Sequence, residues 1–336
     1  MPDAFSLRQA AFLWSRDLAY RWGRRASQRS SATGAEVSRP PQARTTRNRQ
    51  PGGARSLPPL RGRFGCDESG AMSKPDRIET AAGELVRQRL SLAPIDPAED
   101  MRPAGELEAY AFQAEVNRQL SRSGLGSPVG HKIGCTTPVM QAYLGISNPC
   151  AGEIFSATIV ESQGRIRRAD YRRPGVECEI AIGLSRDLAA DQAPFTRDSV
   201  ASHVDAVMAG IEIVDDRYRD FRSLGAPTLI ADNFFNAGCV LGEPVREWRQ
   251  LDLARLEGRM LINGREVGRG DGGMILGHPL EALAWLANSR AARGLSLRKG
   301  AFVFLGSLVE TRWPDAGDLV RIEIDRLGAL DLQVAA

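Results

Sequence analysis

The stretch Pro174-Gly175-Val176-Glu177-Cys178-Glu179-Ile180-Ala181-Ile182-Gly183-Leu184 sets two acids inside an otherwise apolar run. Side chains alternate along a strand, so Glu177 and Glu179 point to one face about 7 Å apart, with Val176, Cys178 and Ile180 on the other. Left unpaired in a core, each carboxylate would cost several kcal/mol and shift towards protonation. Ile211-Glu212-Ile213-Val214 repeats the anomaly with one acid in a β-branched run. With no matching Lys or Arg beside these acids, a divalent cation removes the conflict, and an all-carboxylate set suits Mg²⁺ or Mn²⁺ better than zinc. On the pattern alone a second reading stands level with it, in which Glu177 and Glu179 line the wet face of a half-exposed strand.

Outward from these acids the texture is that of an α+β protein whose core is mostly sheet. Short β-prone runs bounded by Gly and Pro are expected as strands over residues 129–135, 153–160, 176–184, 211–214, 238–241 and 259–262, and again over 301–305, 319–324 and 329–334. Helical spacing predicts helices over 75–92 and 107–120, an N-terminal helical cap spanning 72–125 ahead of a catalytic domain at 126–336. Two further helices are expected at 199–208 and 280–293, the latter opened by Pro279 at a position where a missing N–H is harmless. The glycine cluster Gly268 to Gly273 lacks the strand-loop-helix context of a phosphate loop.

Charge is uneven along the 336 residues. Residues 1–71 hold 13 Arg, no Lys and 5 acids, which leaves 31 basic and 36 acidic side chains in the remainder. A mildly acidic body argues against a nucleic-acid partner, because phosphate binding needs a basic face. No apolar run approaches the roughly 18 residues needed to span a bilayer, so no membrane role is expected. The Arg, Pro and Gly-rich extension at 1–71 lacks the apolar periodicity to fold and is expected to be disordered. Three accounts of it stay open: a start upstream of a true one at Met72, a disordered tail, or a targeting segment suggested by the apolar stretch from Phe5 to Trp22. Cys66, Cys135, Cys150, Cys178 and Cys239 show no structural-zinc spacing and are read as free thiols in a reducing, cytoplasmic compartment.

His131-Lys132-Ile133-Gly134-Cys135-Thr136, Val176 to Ile180, Ile211 to Arg217, Ala231-Asp232-Asn233 and Leu276-Gly277-His278-Pro279-Leu280 occur in one order that resembles the hydratase and decarboxylase branch of the fumarylacetoacetate hydrolase superfamily. The resemblance covers about residues 77 to 334. It implies a mixed β-roll core, a homo-oligomer, and Mg²⁺ or Mn²⁺ held by Glu177, Glu179 and Glu212. It implies catalytic roles for Lys132, Asp232 and Asn233, and substrate contacts from Thr136, Phe235 and Ser307. The activity implied is hydration of a small 2-oxo-alkenoate, of the 2-keto-4-pentenoate hydratase kind, through an enolate that the cation stabilises. The alternatives are decarboxylation of a 2-oxo-enedioate of the 4-oxalocrotonate kind, a C–C hydrolase, or a non-catalytic partner in complex with a homologous hydratase or decarboxylase subunit. Two departures bear on the substrate: Ser156-Ala157-Thr158 stands where the compared hydratases carry an acid, and Phe234-Phe235 replaces small residues. His278 and Glu281 have the spacing of a hydrolytic dyad, but their place at a helix start makes them structural.

Overall fold

The computed structural model describes residues 73–161 and 164–336, so the expectations for residues 1–71 and Cys66 fall outside the described residues. Lys74–Ala336 forms one compact unit. Its elements run in the order α1 (Lys74–Leu90), α2 (Glu106–Leu120), β1 (Pro128–Gly134), α3 (Pro138–Leu144), β2 (Cys150–Phe155), β3 (Ile159–Val160), β4 (Gly164–Arg167), β5 (Pro174–Leu184) and α4 (Arg197–Ala201). There follow β6 (Val204–Asp215), α5 (Gly225–Ala231), β7 (Asn236–Leu241), β8 (Glu257–Ile262), β9 (Arg265–Asp271), α6 (Pro279–Ala291), β10 (Phe302–Ser307), β11 (Leu319–Ile324) and β12 (Gly328–Ala335).

The strands build two curled sheets, in the orders β2-β1-β10-β5-β6-β7-β3 and β4-β12-β11-β8-β9. β1 and β10 pair in parallel and β5 and β6 antiparallel, so the mixed sheet core expected from the sequence is present. The two faces of the seven-stranded sheet have different fates. One carries Val176, Cys178, Ile180, Ile211 and Ile213 into the main core, which it shares with Met260, Ile322, Leu332 and Val334 of the second sheet. The other carries the acids, and its inner end is filled by a separate cluster of Ile154, Ala181, Met208, Cys239, Phe302 and Phe304. α1 and α2 contribute Leu85, Phe112 and Val116 to the main core, so the helical cap and the sheets share one interior.

The helix expected over 199–208 is present only as far as Ala201, in α4, and residues 204–208 are strand. β6 lies between β5 and β7 and is buried on both faces. A strand in that position reads as a continuous apolar run, which periodicity does not separate from a buried helix. The single strand expected at 153–160 is broken by a 3₁₀ turn at Ser156–Thr158 into β2 and β3. α3, α5 and β4 were not foreseen. α3 has its own local cause, with Pro138 in the first turn, the Thr137 hydroxyl accepting from the Met140 N–H at 3.4 Å, and Gly145 ending it at φ +65°. The glycine cluster is β9 and a 3₁₀ turn. His278 caps α6, its Nδ1 accepting from the Leu280 N–H at 3.1 Å.

Candidate metal centre

Strand alternation and register bring the three acids together. Glu177 faces Glu212 directly across the β5–β6 pair, and Glu179 lies two residues further in, opposite Gly210 on β6 and Ser307 on β10. One carboxylate oxygen from each acid lies within 4.8 Å of those of the other two. Glu179 and Glu212 are 1% and 0% exposed, whereas Glu177 is only partly buried. The cluster thus has a dry inner end and an outer end nearer solvent.

Each carboxylate is steered by a fixed donor. The Gly306 N–H donates to Glu179 Oε2 at 2.9 Å, Asn236 Nδ2 to Glu212 Oε1 at 2.9 Å, and the Thr311 hydroxyl to Glu177 Oε1. Gly306 holds φ +131°, and a Cβ there would come within 2.4 Å of Thr136 Oγ1, so the N–H aimed at Glu179 depends on glycine. Glu212 Oε2 is buried without a hydrogen-bond partner. A buried carboxylate oxygen left without a donor is costly, and it is what a cation ligand looks like with protein atoms alone.

Lys132 supplies a countercharge that the linear sequence hides. It lies on β1, 2% exposed, with Nζ 3.3 Å from Glu212 Oε1 and 5.2 Å from the centre of the Phe234 ring. Burial pulls its pKa down, but Glu212, Glu177 and Glu179 outweigh that and hold it above the ordinary lysine value. Burial, then Glu212 and Glu177, push the Glu179 carboxyl well up. Burial also raises Glu212, against the pull of Lys132. Three carboxylates and one ammonium leave an excess of negative charge that a divalent cation matches.

Asp232 and Asn233 do not reach this cluster, which corrects their catalytic assignment. Both Asp232 oxygens are taken by buried cations, Arg89 at 3.1 Å and Arg217 at 2.7 Å, and Tyr218 donates to it at 3.3 Å. Burial and Arg217 bring the Arg89 pKa down to about 10. Asn233 exchanges amide hydrogen bonds with Asn117 of α2 and accepts from the Glu153 N–H at 2.9 Å. Together they anchor a turn in which Asn233, Phe234 and Phe235 all have positive φ, at 56°, 47° and 68°. Such backbone costs on the order of 1 kcal/mol per non-glycine residue and persists only where its surroundings fix it.

That turn decides which phenylalanine matters. Phe234 packs beneath Lys132, and the Phe235 ring, edge-on to Phe234 at 5.7 Å, also sits edge-on to Tyr218 at 5.0 Å and Phe221 at 5.5 Å. Of the two rings Phe234 is the one against the lysine beside the acids, whereas the Phe235 ring, expected at the substrate, packs on Tyr218 and Phe221. Of the other expected contacts, Thr136 lies beside Gly306, but the Ser307 hydroxyl donates to the Val309 carbonyl at 2.5 Å and is committed there. Asn236 and Thr311 escaped the sequence reading because nothing local marks them. A cavity of about 650 Å³ over the second sheet is a poor rival, because most of its charges are already paired, as in Arg269 with Glu257 at 3.1 Å and Arg321 with Glu323 at 2.8 Å.

Residues 151–335 match the model of the fumarylacetoacetate (FAA) hydrolase C-terminal family. This chain belongs to that family. It is 35% identical over 260 residues to a 2-keto-4-pentenoate hydratase of Burkholderia vietnamiensis, covering 77% of this chain and 98% of that protein. It is 32% identical over 237 residues to a 4-oxalocrotonate decarboxylase of a Pseudomonas species, covering 70% and 87%. Among solved structures it resembles the 4-oxalocrotonate decarboxylase of Pseudomonas putida G7, complexed with magnesium and adipate, with a TM-score of 0.73 at 25% identity over 78% of this chain and 99% of that one.

Proposed function

We propose that this member of the family is a divalent-metal-dependent hydro-lyase that adds water to a small 2-hydroxy-dienoate, the reaction type of 2-keto-4-pentenoate hydratase. The observation that carries the metal is the convergence of Glu177, Glu179 and Glu212 around the partnerless Glu212 Oε2. Those three residues would hold Mg²⁺ or Mn²⁺, which supplies Lewis-acid polarisation of the 2-oxo group. The relatives named as hydratases support the reaction type.

The chain's own residues account for the rest. Lys132 Nζ, kept protonated by the carboxylates, is a fixed donor for a substrate oxygen on which negative charge develops. Phe234 closes the side of the site beneath that ammonium and keeps water from it. Thr136 contributes its hydroxyl beside Gly306. No carboxylate occupies the Ser156–Thr158 turn, and the nearby Glu153 is held by Arg290 at 3.1 Å and Asn117 at 3.0 Å. The water-orienting acid that the sequence looks for in that segment is therefore not supplied by it, which keeps decarboxylation of a 2-oxo-enedioate as the second reading. The experiment is to incubate the protein with Mg²⁺ or Mn²⁺ and each substrate, following dienoate absorbance and CO₂ release. Absorbance loss without CO₂ supports hydration, and stoichiometric CO₂ replaces it with decarboxylation. The proposal includes a cytoplasmic homo-oligomer, for which exposed Leu107, Val139 and Tyr143 offer apolar surface.

A further inference from the structure

Beyond Glu177 the acid-bearing face of the central sheet continues outward to the protein surface. Gly175 lies two residues out from Glu177, about 7 Å along the strand, opposite Val214. Arg312 bridges Val176 in antiparallel fashion, so Thr311 and Trp313 share the face of Glu177 and Gly175. Thr311 accordingly bonds Glu177, and the Trp313 ring lies over Gly175, where a Cβ would meet it at 2.9 Å. Arg173, the next residue out on this face, stacks its guanidinium 4.5 Å from the centre of that ring. Its ion pair is a single contact to Asp216 at 3.4 Å, and its side chain is 57% exposed.

The inner end of the same face is filled by Met208, Phe302 and Phe304. A molecule held at the three acids therefore cannot extend inward, and outward the face leads past Thr311 to Trp313 and Arg173. The indole offers a flat apolar surface to a planar conjugated chain, and the guanidinium beyond it has the fork geometry that binds a carboxylate through two parallel N–H donors. We infer that Arg173 and Trp313 form a rim subsite for a second carboxylate at the far end of the substrate, so that the site selects short 2-oxo diacids over monoacids of equal length. This rests on the 2-oxo acid reading of the metal centre and narrows its substrate class.

The test is calorimetric binding, in Mg²⁺, of 2-oxoadipate against 2-oxohexanoate, which differ only in the distal carboxylate. The wild type is expected to favour the diacid by about 10- to 100-fold, the range of a charge-assisted hydrogen bond. Arg173→Gln should bring the ratio of the two affinities to near unity. Arg173→Lys, which keeps the charge but loses the fork and the stacking, should leave an intermediate ratio. Equal affinities in the wild type, or a ratio unmoved in Arg173→Gln, overturn the subsite. Turnover separates this from the reaction reading. A diacid preference in binding without turnover of any dienoate keeps the subsite and sinks the hydro-lyase assignment, whereas turnover of a monoacid dienoate without that preference does the reverse.

Discussion

Glu179 and Lys132 carry opposite consequences for a metal-free protein. Glu179 is buried among like charges, so Glu179→Gln removes repulsion while keeping shape. It should abolish turnover, leave the metal-free protein as stable as before or more so, and flatten the rise of melting temperature with Mg²⁺. In the wild type that rise should reach about 2.7 kcal/mol when metal is at a hundred times its dissociation constant. A mutant curve that overlays the wild type would remove Glu179 from the metal centre. Lys132→Met acts the other way, stripping Glu212 of the ammonium 3.3 Å away. Denaturant titration should show the metal-free protein weakened by about 3 kcal/mol, the scale of breaking a buried pair. Its affinity for Mg²⁺ should hold or rise, since one positive charge has left the site, and turnover should fall. A loss of Mg²⁺ affinity would mean that Lys132 shapes the carboxylates rather than balancing them.

The turn of residues 233–235 between α5 and β7 brings Phe234 up to Lys132. Asp232 holds it through Arg89 and Arg217, so Asp232→Ala leaves two buried cations without their carboxylate and should cost about 3–5 kcal/mol. A change under 1 kcal/mol in urea unfolding would refute the anchoring role. Phe234 and Phe235 meet edge-on at 5.7 Å, with Phe234 against Lys132 and Phe235 against Tyr218 and Phe221. Phe234→Ser should change substrate preference with little effect on Mg²⁺ affinity, whereas Phe235→Ser should lower the melting temperature by opening the Tyr218–Phe221 cluster and leave preference alone. Comparing kcat/KM across a set of 2-hydroxy-dienoates for both variants decides it, and the reverse pattern would return Phe235 to the pocket.

At the scale of the whole molecule, Lys74–Ala336 forms a compact unit with its own core, and α1 enters that core through Ala82, Leu85 and Val86. A chain beginning at Met72 should therefore fold, melt and turn over like the full chain. Differential scanning calorimetry of the two forms checks this, and a drop of several degrees on truncation would show that residues 1–71 contribute to stability. No helix of the described residues is long and apolar enough to cross a membrane, in keeping with the short apolar runs of the sequence.

Much of this was written in the linear chain. Three acids inside apolar strands at Glu177, Glu179 and Glu212 are a local contradiction, and period-two alternation alone places the first two on one face, so the candidate metal centre was legible before any fold was known. The strands of β11 and β12 were legible for the same reason, since half-buried alternation is a local signal. What the tertiary structure decided lies wherever a signal is non-local or not periodic. The helix expected over residues 199–208 stopped at Ala201 and residues 204–208 joined β6, where burial on both faces erases alternation. Lys132 became the countercharge of Glu212 through pairing of β1 with β10, strands about 170 residues apart in the chain. Asp232 and Asn233 turned out to be anchors, since their partners Arg89 and Asn117 come from helices more than a hundred residues earlier. Phe234 came to lie against Lys132, and Phe235 against Tyr218 and Phe221, in a turn of three successive left-handed residues that no propensity encodes and that only packing from outside holds there.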